Sequence, residues 1–283
     1  MRVQVVGLCR FSYLGGRGFQ VEHDSLEARR AFLYDPDRLA RRWHWFEAVT
    51  LPALMAQTDP DFTLVLMTGP DLPEPYLGRL HDLTRRMPQA KLSLIRPMAF
   101  HLQACKHALA PHVEAGADVV AHFRQDDDDA VAVDYVARAR RDFRRVKPLY
   151  KIKGRASIDY MRGLVLKATE RGVSVEPRMI YNAVAALTVY LPPDDPRSAT
   201  HFPHWRLAHH MPGAILPDEA MFCRFLNHDN DSGAIGPGYT WDEPPRDIPA
   251  LLRDRFRIDL AAIDRDARAF GLPKAQRPHW GAT

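Results

Sequence analysis

Short apolar runs separated by amphipathic stretches set the reading of the first half of the chain. Residues 3–8 (VQVVGL) form a largely apolar run with the length of a buried strand. A polar, glycine-containing stretch over 14–25 reads as a loop. Asp35-Pro36 then supplies an N-cap followed by proline in the first turn. Leu39, Trp43, Phe46, Thr50 and Leu54 recur every three or four residues, which is one face of a helix ending near Gln57. Residues 62–67 read as a strand, and 74–87 as a helix with Leu77, Leu80, Leu83 and Met87 on its inner face. A strand at 92–95, a helix over 101–115 on Leu102, Cys105 and Leu109, and a strand at 118–123 follow. This alternation predicts an α/β fold with a Rossmann-type, mostly parallel sheet covered by helices on both faces. Ligand sites in such sheets form beyond the carboxyl ends of the strands.

The pattern changes in the second half. An arginine-rich helix is predicted over roughly 131–145. After Gly154, three strand-like runs (163–169, 173–180 and 183–191) are joined by tight turns, Arg171-Gly172 being one. That predicts a mixed or antiparallel C-terminal part in place of further βα units. Residues 192–217 are rich in proline and histidine, 218–226 reads as a helix, 229–249 as a Pro/Gly-rich loop, and 250–270 as a terminal amphipathic helix. There are no internal repeats.

Composition narrows the class. Of 283 residues, 46% are apolar and 26% charged, which excludes wholesale disorder. The net charge of +4 is too small to make nucleic acid the expected partner, yet it suits an anionic small molecule. No apolar run approaches the ~20 residues of a membrane helix, and MRVQVVGLCRF is interrupted too soon for a signal peptide. Cys9, Cys105 and Cys223 form no CxxC pair, so a disulfide framework and a thiolate zinc site are both unsupported. A reducing, cytoplasmic setting is the expectation.

The candidate chemistry begins where the fourth predicted strand ends, at Arg124-Gln125-Asp126-Asp127-Asp128-Asp129-Ala130-Val131. Adjacent carboxylates raise one another's pKa unless a cation compensates, and hard divalent ions prefer carboxylate oxygens. The competing reading is an acidic helix start that complements the helix dipole. An EF-hand is excluded by the missing glycine and the missing glutamate at the twelfth position. Pro217-Asp218-Glu219 offers carboxylates at a predicted helix start, where they act either as caps or as a general base. Trp205, Tyr239 and Trp241 fall in irregular regions, where aromatic faces either stack on sugars or anchor loops. Residues 138–155 carry nine Lys/Arg against Asp142 alone, either a solvated face or a contact for an anionic acceptor or membrane surface.

FRQDDDDAV resembles the DXD region of GT-A-type glycosyltransferases, and the chain is similar over roughly residues 1–270 to the putative rhamnosyltransferase family of bacteria. The matching residues are Arg10-Phe11-Ser12, Arg42, Trp43-x-x-Phe46-Glu47, Leu51-Pro52-x-Leu54-x-x-Gln57-Thr58-Asp59-x-Asp61-Phe62 and Arg124-x-Asp126-Asp127-Asp128-Asp129-Ala130. The resemblance implies a GT-A-like catalytic domain over 1–250, with a nucleotide-binding half (1–130), an acceptor-side half (131–250) and a C-terminal helix and tail (251–283). It implies a metal-dependent, inverting glycosyltransferase that moves a sugar, rhamnose for instance, from a dTDP- or UDP-linked donor to a glycan or lipid-linked acceptor.

The same resemblance implies roles for single residues. Asp126 and Asp128 become the DXD pair, with Asp128 on a Mn or Mg ion and Asp126 on the metal or the ribose; the register Asp127/Asp129 stays open. Arg10, Phe11 and Arg124 would face the nucleotide, His228 would be a third metal ligand, and Asp218, or else Glu219, the base. A non-catalytic glycan-binding or scaffold protein of the same fold is the alternative, with a sugar nucleotidyltransferase behind it. Replacing Asp128 is expected to separate the transferase from the scaffold.

Overall fold

The computed structural model describes residues 1–17, 23–169, 171–227, 229–230 and 238–270. Two sheets carry the fold. The larger has seven strands, in the order β10-β6-β9-β4-β1-β2-β3. Its strands are β1 (Val3–Arg10), β2 (Thr63–Thr68), β3 (Ala90–Leu94), β4 (Val119–Asp126), β6 (Ala156–Tyr160), β9 (Leu187–Leu191) and β10 (Gly213–Leu216). β1 pairs in parallel with both β2 and β4, and β2 with β3; β9 alone runs against its neighbours β4 and β6. The mostly parallel sheet expected from the alternating pattern is therefore present.

Burial explains why the first strands read as continuous apolar runs. In β1, Val3, Val5 and Cys9 pack into the main core on one face, while Val6 and Leu8 enter a second core on the other. A strand covered on both faces has no polar side to reveal. Gly7 is needed where it stands: it pairs with Phe123, and a Cβ there would fall inside the Phe123 ring.

The helix predicted from Asp35 is built as the cap residues dictate. In α2 (Pro36–Trp45) the Asp35 carboxylate accepts from the Arg38 amide at 2.8 Å. The helix then widens into a π-type turn over Phe46–Thr50 before α3 (Leu51–Met55). Pro52 accounts for the change, because it has no N–H to give and its ring crowds the carbonyl four residues back. The remaining helices of this half, after α1 (Leu26–Leu33), are α4 (Tyr76–Arg86) and α5 (His101–Leu109), followed by α6 (Tyr135–Lys153). α6 starts later and runs further than the predicted 131–145, since Ala130–Val131 forms a short strand, β5.

The second sheet has the order β12-β8-β7-β11-β5, with β7 (Arg162–Thr169), β8 (Gly172–Ile180), β11 (Phe222–Leu226) and β12 (Gly238–Thr240). The β7–β8 hairpin turns at Gly172, whose φ is +107°. The helix expected over 218–226 is absent: residues 218–221 are irregular and Phe222–Leu226 is the strand β11. Phe222 and Cys223 pair with β5 on one side, and the whole segment pairs with β7 on the other, so sheet partners override the cap-like Pro-Asp-Glu. β6 and β10 are strands that the periodicity did not single out. The expected terminal helix is broken: α7 (Ile248–Leu251) and a π-type turn end at Arg257, with φ +58°, before α8 (Leu260–Phe270). Residues 271–283 lie outside the described residues.

Candidate active site

β1 leads through β2 and β3 to one side of the sheet, while β4 lies on the other side of β1. The crevice between β1 and β4 is thus the topological switch point of the parallel strands, where ligands of open α/β sheets bind. Register brings Arg10, at the end of β1, opposite Asp126, at the end of β4. Their side chains approach to 3.5 Å.

The four aspartates meet four different environments. Asp126 keeps about a third of its side chain exposed (36%). Burial works against its charge, but Arg124, Arg10, Arg224 and Arg42 outweigh it and hold the carboxyl below the ordinary carboxylate range. Asp127 is buried and gripped by the guanidinium fork of Arg42, with Nε donating at 3.0 Å and Nη2 to the other oxygen. Asp128, 3% exposed, accepts on Oδ2 from Asn227 at 3.0 Å, Asn230 at 2.7 Å and Arg42 at 3.5 Å. Asp129 accepts from the Phe225 amide at 2.9 Å, and its own carbonyl accepts from Thr50 at 2.8 Å. The π-type turn in the helix aims Thr50 at that carbonyl. Burial raises the Asp128 carboxyl, with Asp126 adding to the effect against Arg42; burial and then Asp128 raise Asp129 far more.

Cations frame this edge. Arg41 forks onto Asp229 at 2.8 and 3.0 Å, and Arg42 also reaches the Asp229 carbonyl at 3.2 Å. Arg10 donates to Nε2 of His101 at 2.9 Å, a bond open only to a neutral imidazole; burial, then Arg10 and Arg124, push that histidine down to about 3. Arg124 lies beside Arg10 and Asp126, and its buried Nε has no hydrogen-bond partner among the described residues. Four arginines, Arg124, Arg10, Arg224 and Arg42, act on the Asp126 carboxylate, and that concentration of cationic groups suits this edge to an anion.

The other expected residues are distributed unevenly. Phe11 is fully buried, packed edge-on against Trp43 at 5.6 Å, and reaches the core instead of the site. Glu219 is held by Arg138 at 2.5 Å and Arg255 at 2.9 Å. Asp218 is exposed beyond the end of β10, and its carbonyl accepts from Arg162 at 3.4 Å. β10 stands three strands from β4, about 14 Å across the sheet at ~4.8 Å per strand. The two acids are not brought into contact with the aspartate run. His228 lies outside the described residues. Sequence reasoning quoted Arg42 without giving it a role, and passed over Asn227, Asn230, Arg224 and His101. The Asn-x-Asp-Asn surrounding His228 was the available signal for the two amides.

The donor set fits a divalent ion only in part. Among the described residues no cluster of three or more His, Cys, Asp or Glu could hold a metal. Of the two aspartates expected to form a DXD pair, Asp126 and the second oxygen of Asp128 are left without a carboxylate–amide bond. That matches a Mg²⁺-like ion completed by substrate phosphates and water, since such ions are held by one or two carboxylates, and it does not match a preformed cage.

A protein-family model described as "Putative rhamnosyl transferase" matches residues 4–239. No curated protein matches the chain. Among solved structures, S. aureus TarS 1-349 is 11% identical with a TM-score of 0.37, covering 81% of this chain and 62% of that one. The same protein in complex with UDP-GlcNAc is 13% identical, with a TM-score of 0.39 and coverages of 80% and 59%. A putative nucleotide-diphospho-sugar transferase from Desulfovibrio desulfuricans G20 is 12% identical, with a TM-score of 0.36 and coverages of 95% and 96%. The chain thus spans about three-fifths of the TarS fragment it matches.

Proposed function

Because the chain belongs to the putative rhamnosyl transferase family, we propose that it transfers a sugar, rhamnose for instance, from a dTDP- or UDP-linked donor to a glycan or lipid-linked acceptor. The observation that carries this reading is the arginine-framed carboxylate of Asp126 at the β1/β4 switch point. A diphosphate placed there meets Arg10 and Arg124, with the field of Arg224 behind them. Their charges favour the leaving nucleoside diphosphate as the bond from its oxygen to the anomeric carbon breaks. Rigid support comes from Arg42, Asn227 and Asn230, which hold Asp127 and Asp128 in place.

On this reading Asp126 and Asp128 would hold a Mn or Mg ion, which would supply further neutralisation of the charge on the departing diphosphate. His228 is a proposed additional ligand. Inversion requires a base that takes the proton of the acceptor hydroxyl as its oxygen attacks the opposite face of the sugar. Of the two acids considered, Asp218 is the better candidate: it is exposed, whereas Glu219 is committed to two arginines. Three buried free cysteines accord with a reducing, cytoplasmic compartment.

Peripheral membrane contact through α6 is disfavoured by position. No helix of the described residues is long and apolar enough to cross a membrane. α6 ends at Gly154, just before β6 begins, so its exposed Lys151 and Lys153 lie at the sheet edge opposite Asp126. Docking there would turn the candidate site away from the bilayer.

Calorimetric titration of UDP and dTDP, with and without Mn²⁺, tests the donor site. We expect binding by the wild type that Asp126→Ala weakens and makes insensitive to Mn²⁺, in a protein that remains folded. Failure of the folded wild type to bind either nucleotide would sink the proposal. Asp218→Asn should retain nucleotide binding and lose at least about 100-fold in sugar transfer, the scale of a general base; wild-type turnover would remove Asp218 from the mechanism.

A further inference from the structure

Beside the aspartate run, one loop pair connects the large sheet to a set of exposed rings. Asn182 follows β8 in a left-handed conformation, φ +52°, and its amide donates to the Asp159 carboxylate near the end of β6, at 2.7 Å. The Asn182 carbonyl pairs with Nδ1 of His204 at 2.9 Å. β4 and β6 both run antiparallel to β9 between them, so Asp159, near the C-terminal end of β6, lies toward the same edge of the large sheet as Asp126, two strands away.

Three aromatic side chains flank Asn182 and His204. Tyr181 precedes Asn182, Trp205 follows His204, and Tyr239 comes from β12, where it pairs with Met179 of β8. Trp205 and Tyr239, at 69% and 65%, are the two most exposed aromatic side chains among the described residues. Tyr181 and Tyr239 meet at 88° with centroids 6.4 Å apart, forming a corner, and Trp205 stands edge-on to His204 at 5.0 Å. Trp241 behaves differently. It is buried, its Nε1 donates to the Arg178 carbonyl at 3.0 Å, and Arg162 lies over its ring, so it anchors the loop.

We infer that Tyr181, Trp205 and Tyr239 form the acceptor subsite, a platform on which pyranose rings of a carbohydrate acceptor stack. The inference rests on the glycosyltransferase reading above and gives it a substrate class. A pyranose presents an apolar C–H face and a rim of hydroxyls. Large exposed rings suit the face, because aromatic side chains bring much contact area with a polar tip. Asn182, His204 and the tyrosine hydroxyls supply partners for the rim. Position adds the second argument: the Asn182–Asp159 bond ties the platform to the same edge of the sheet as Asp126, so a ring stacked there lies on the side where the donor is proposed to bind.

The test uses the full chain and a Trp205→Ala/Tyr239→Ala double variant. Both side chains are exposed, so the variant is expected to fold, and circular dichroism checks that it does. The probes are tetrasaccharides of rhamnose, glucose and N-acetylglucosamine, followed by saturation-transfer NMR, with UDP and dTDP titrated into the same samples. The expected result is binding of at least one tetrasaccharide by the wild type, weakened about tenfold or more in the double variant, with nucleotide affinity unchanged. Equal tetrasaccharide binding by both proteins, or none by the wild type, would overturn the inference. So would loss, in the variant, of wild-type binding to phosphatidylglycerol vesicles without any sugar binding, which would mark the patch as a membrane contact. If neither UDP nor dTDP binds while the tetrasaccharide result holds, the donor reading falls and the glycan platform stands.

Discussion

Asp159 offers a stability prediction with a defined sign and size. It is the penultimate residue of β6, with 3% of its surface exposed; one oxygen accepts from the Asn182 amide, and the other has no hydrogen-bond partner among the described residues. Burial pushes its pKa up to about 7 from 3.8, against the small opposing effect of that one bond. The folded chain therefore holds a proton that the unfolded chain has released between about pH 4 and pH 7. Stability falls as pH rises through that window and is flat above it. At about 1.4 kcal/mol per tenfold, the raised carboxyl costs about 4 kcal/mol at pH 8 and about 2 kcal/mol at pH 5.

Asp159→Asn keeps the shape and the acceptor for Asn182 while removing the charge. It should be more stable than the wild type, with the gain growing by about 2 kcal/mol from pH 5 to pH 8. Urea unfolding followed by tryptophan fluorescence reads this directly. With a slope of about 3 kcal/mol/M, the midpoint gap at pH 8 should exceed 1 M, roughly. An equal gain at the two pH values would refute the assignment of the cost to ionisation, and no gain at pH 8 would refute the burial argument altogether.

Two further substitutions probe the frame of the site. Arg42→Ala strips the fork from Asp127 and a partner from Asp128, leaving buried carboxylates uncompensated, so a loss of about 3–5 kcal/mol is expected; thermal unfolding should show it, and a change below about 1 kcal/mol would mean the fork is dispensable. Gly7→Ala forces a methyl group into the Phe123 ring at the centre of the sheet and should cost about 1–3 kcal/mol; an unchanged melting temperature would show that Phe123 has room to move.

Local rules carried the reading of the first half because tertiary structure there agrees with them. Asp35-Pro36 caps α2, the three-and-four spacing marks its buried face, and strands covered on both sides read as apolar runs. The same rules failed at Phe222–Leu226, where pairing with β5 and β7 decides the conformation and a nearby cap-like sequence misleads. Phe11 illustrates a different limit. Its position just past a strand end placed it at the site edge, but its orientation depends on Trp43 and Phe46, which arrive from a helix about thirty residues away. Arg42 sits one position from Trp43, at the margin of the apolar stripe, and only the fold shows that this margin abuts residues 85 positions further on.

The aspartate run looks like one motif in sequence but consists of four separate electrostatic problems in the fold. Asp127 is balanced by a guanidinium from α2, Asp128 by amides that follow β11, and Asp129 by a backbone N–H of β11. Of the four, only Asp126 is left substantially exposed, and the surrounding arginines draw it below the ordinary carboxylate range while burial raises Asp128 and Asp129. Substitutions at 127–129 therefore strike the junction of the two sheets before they strike any chemistry. Loss of activity in Asp128→Ala cannot by itself identify a metal ligand, because the same change strands Asn227 and Asn230 and weakens the hold of Arg42. Asp126 is the position where a lost carboxylate leaves that junction intact, so it is there that a change in nucleotide or metal binding reports on the site itself.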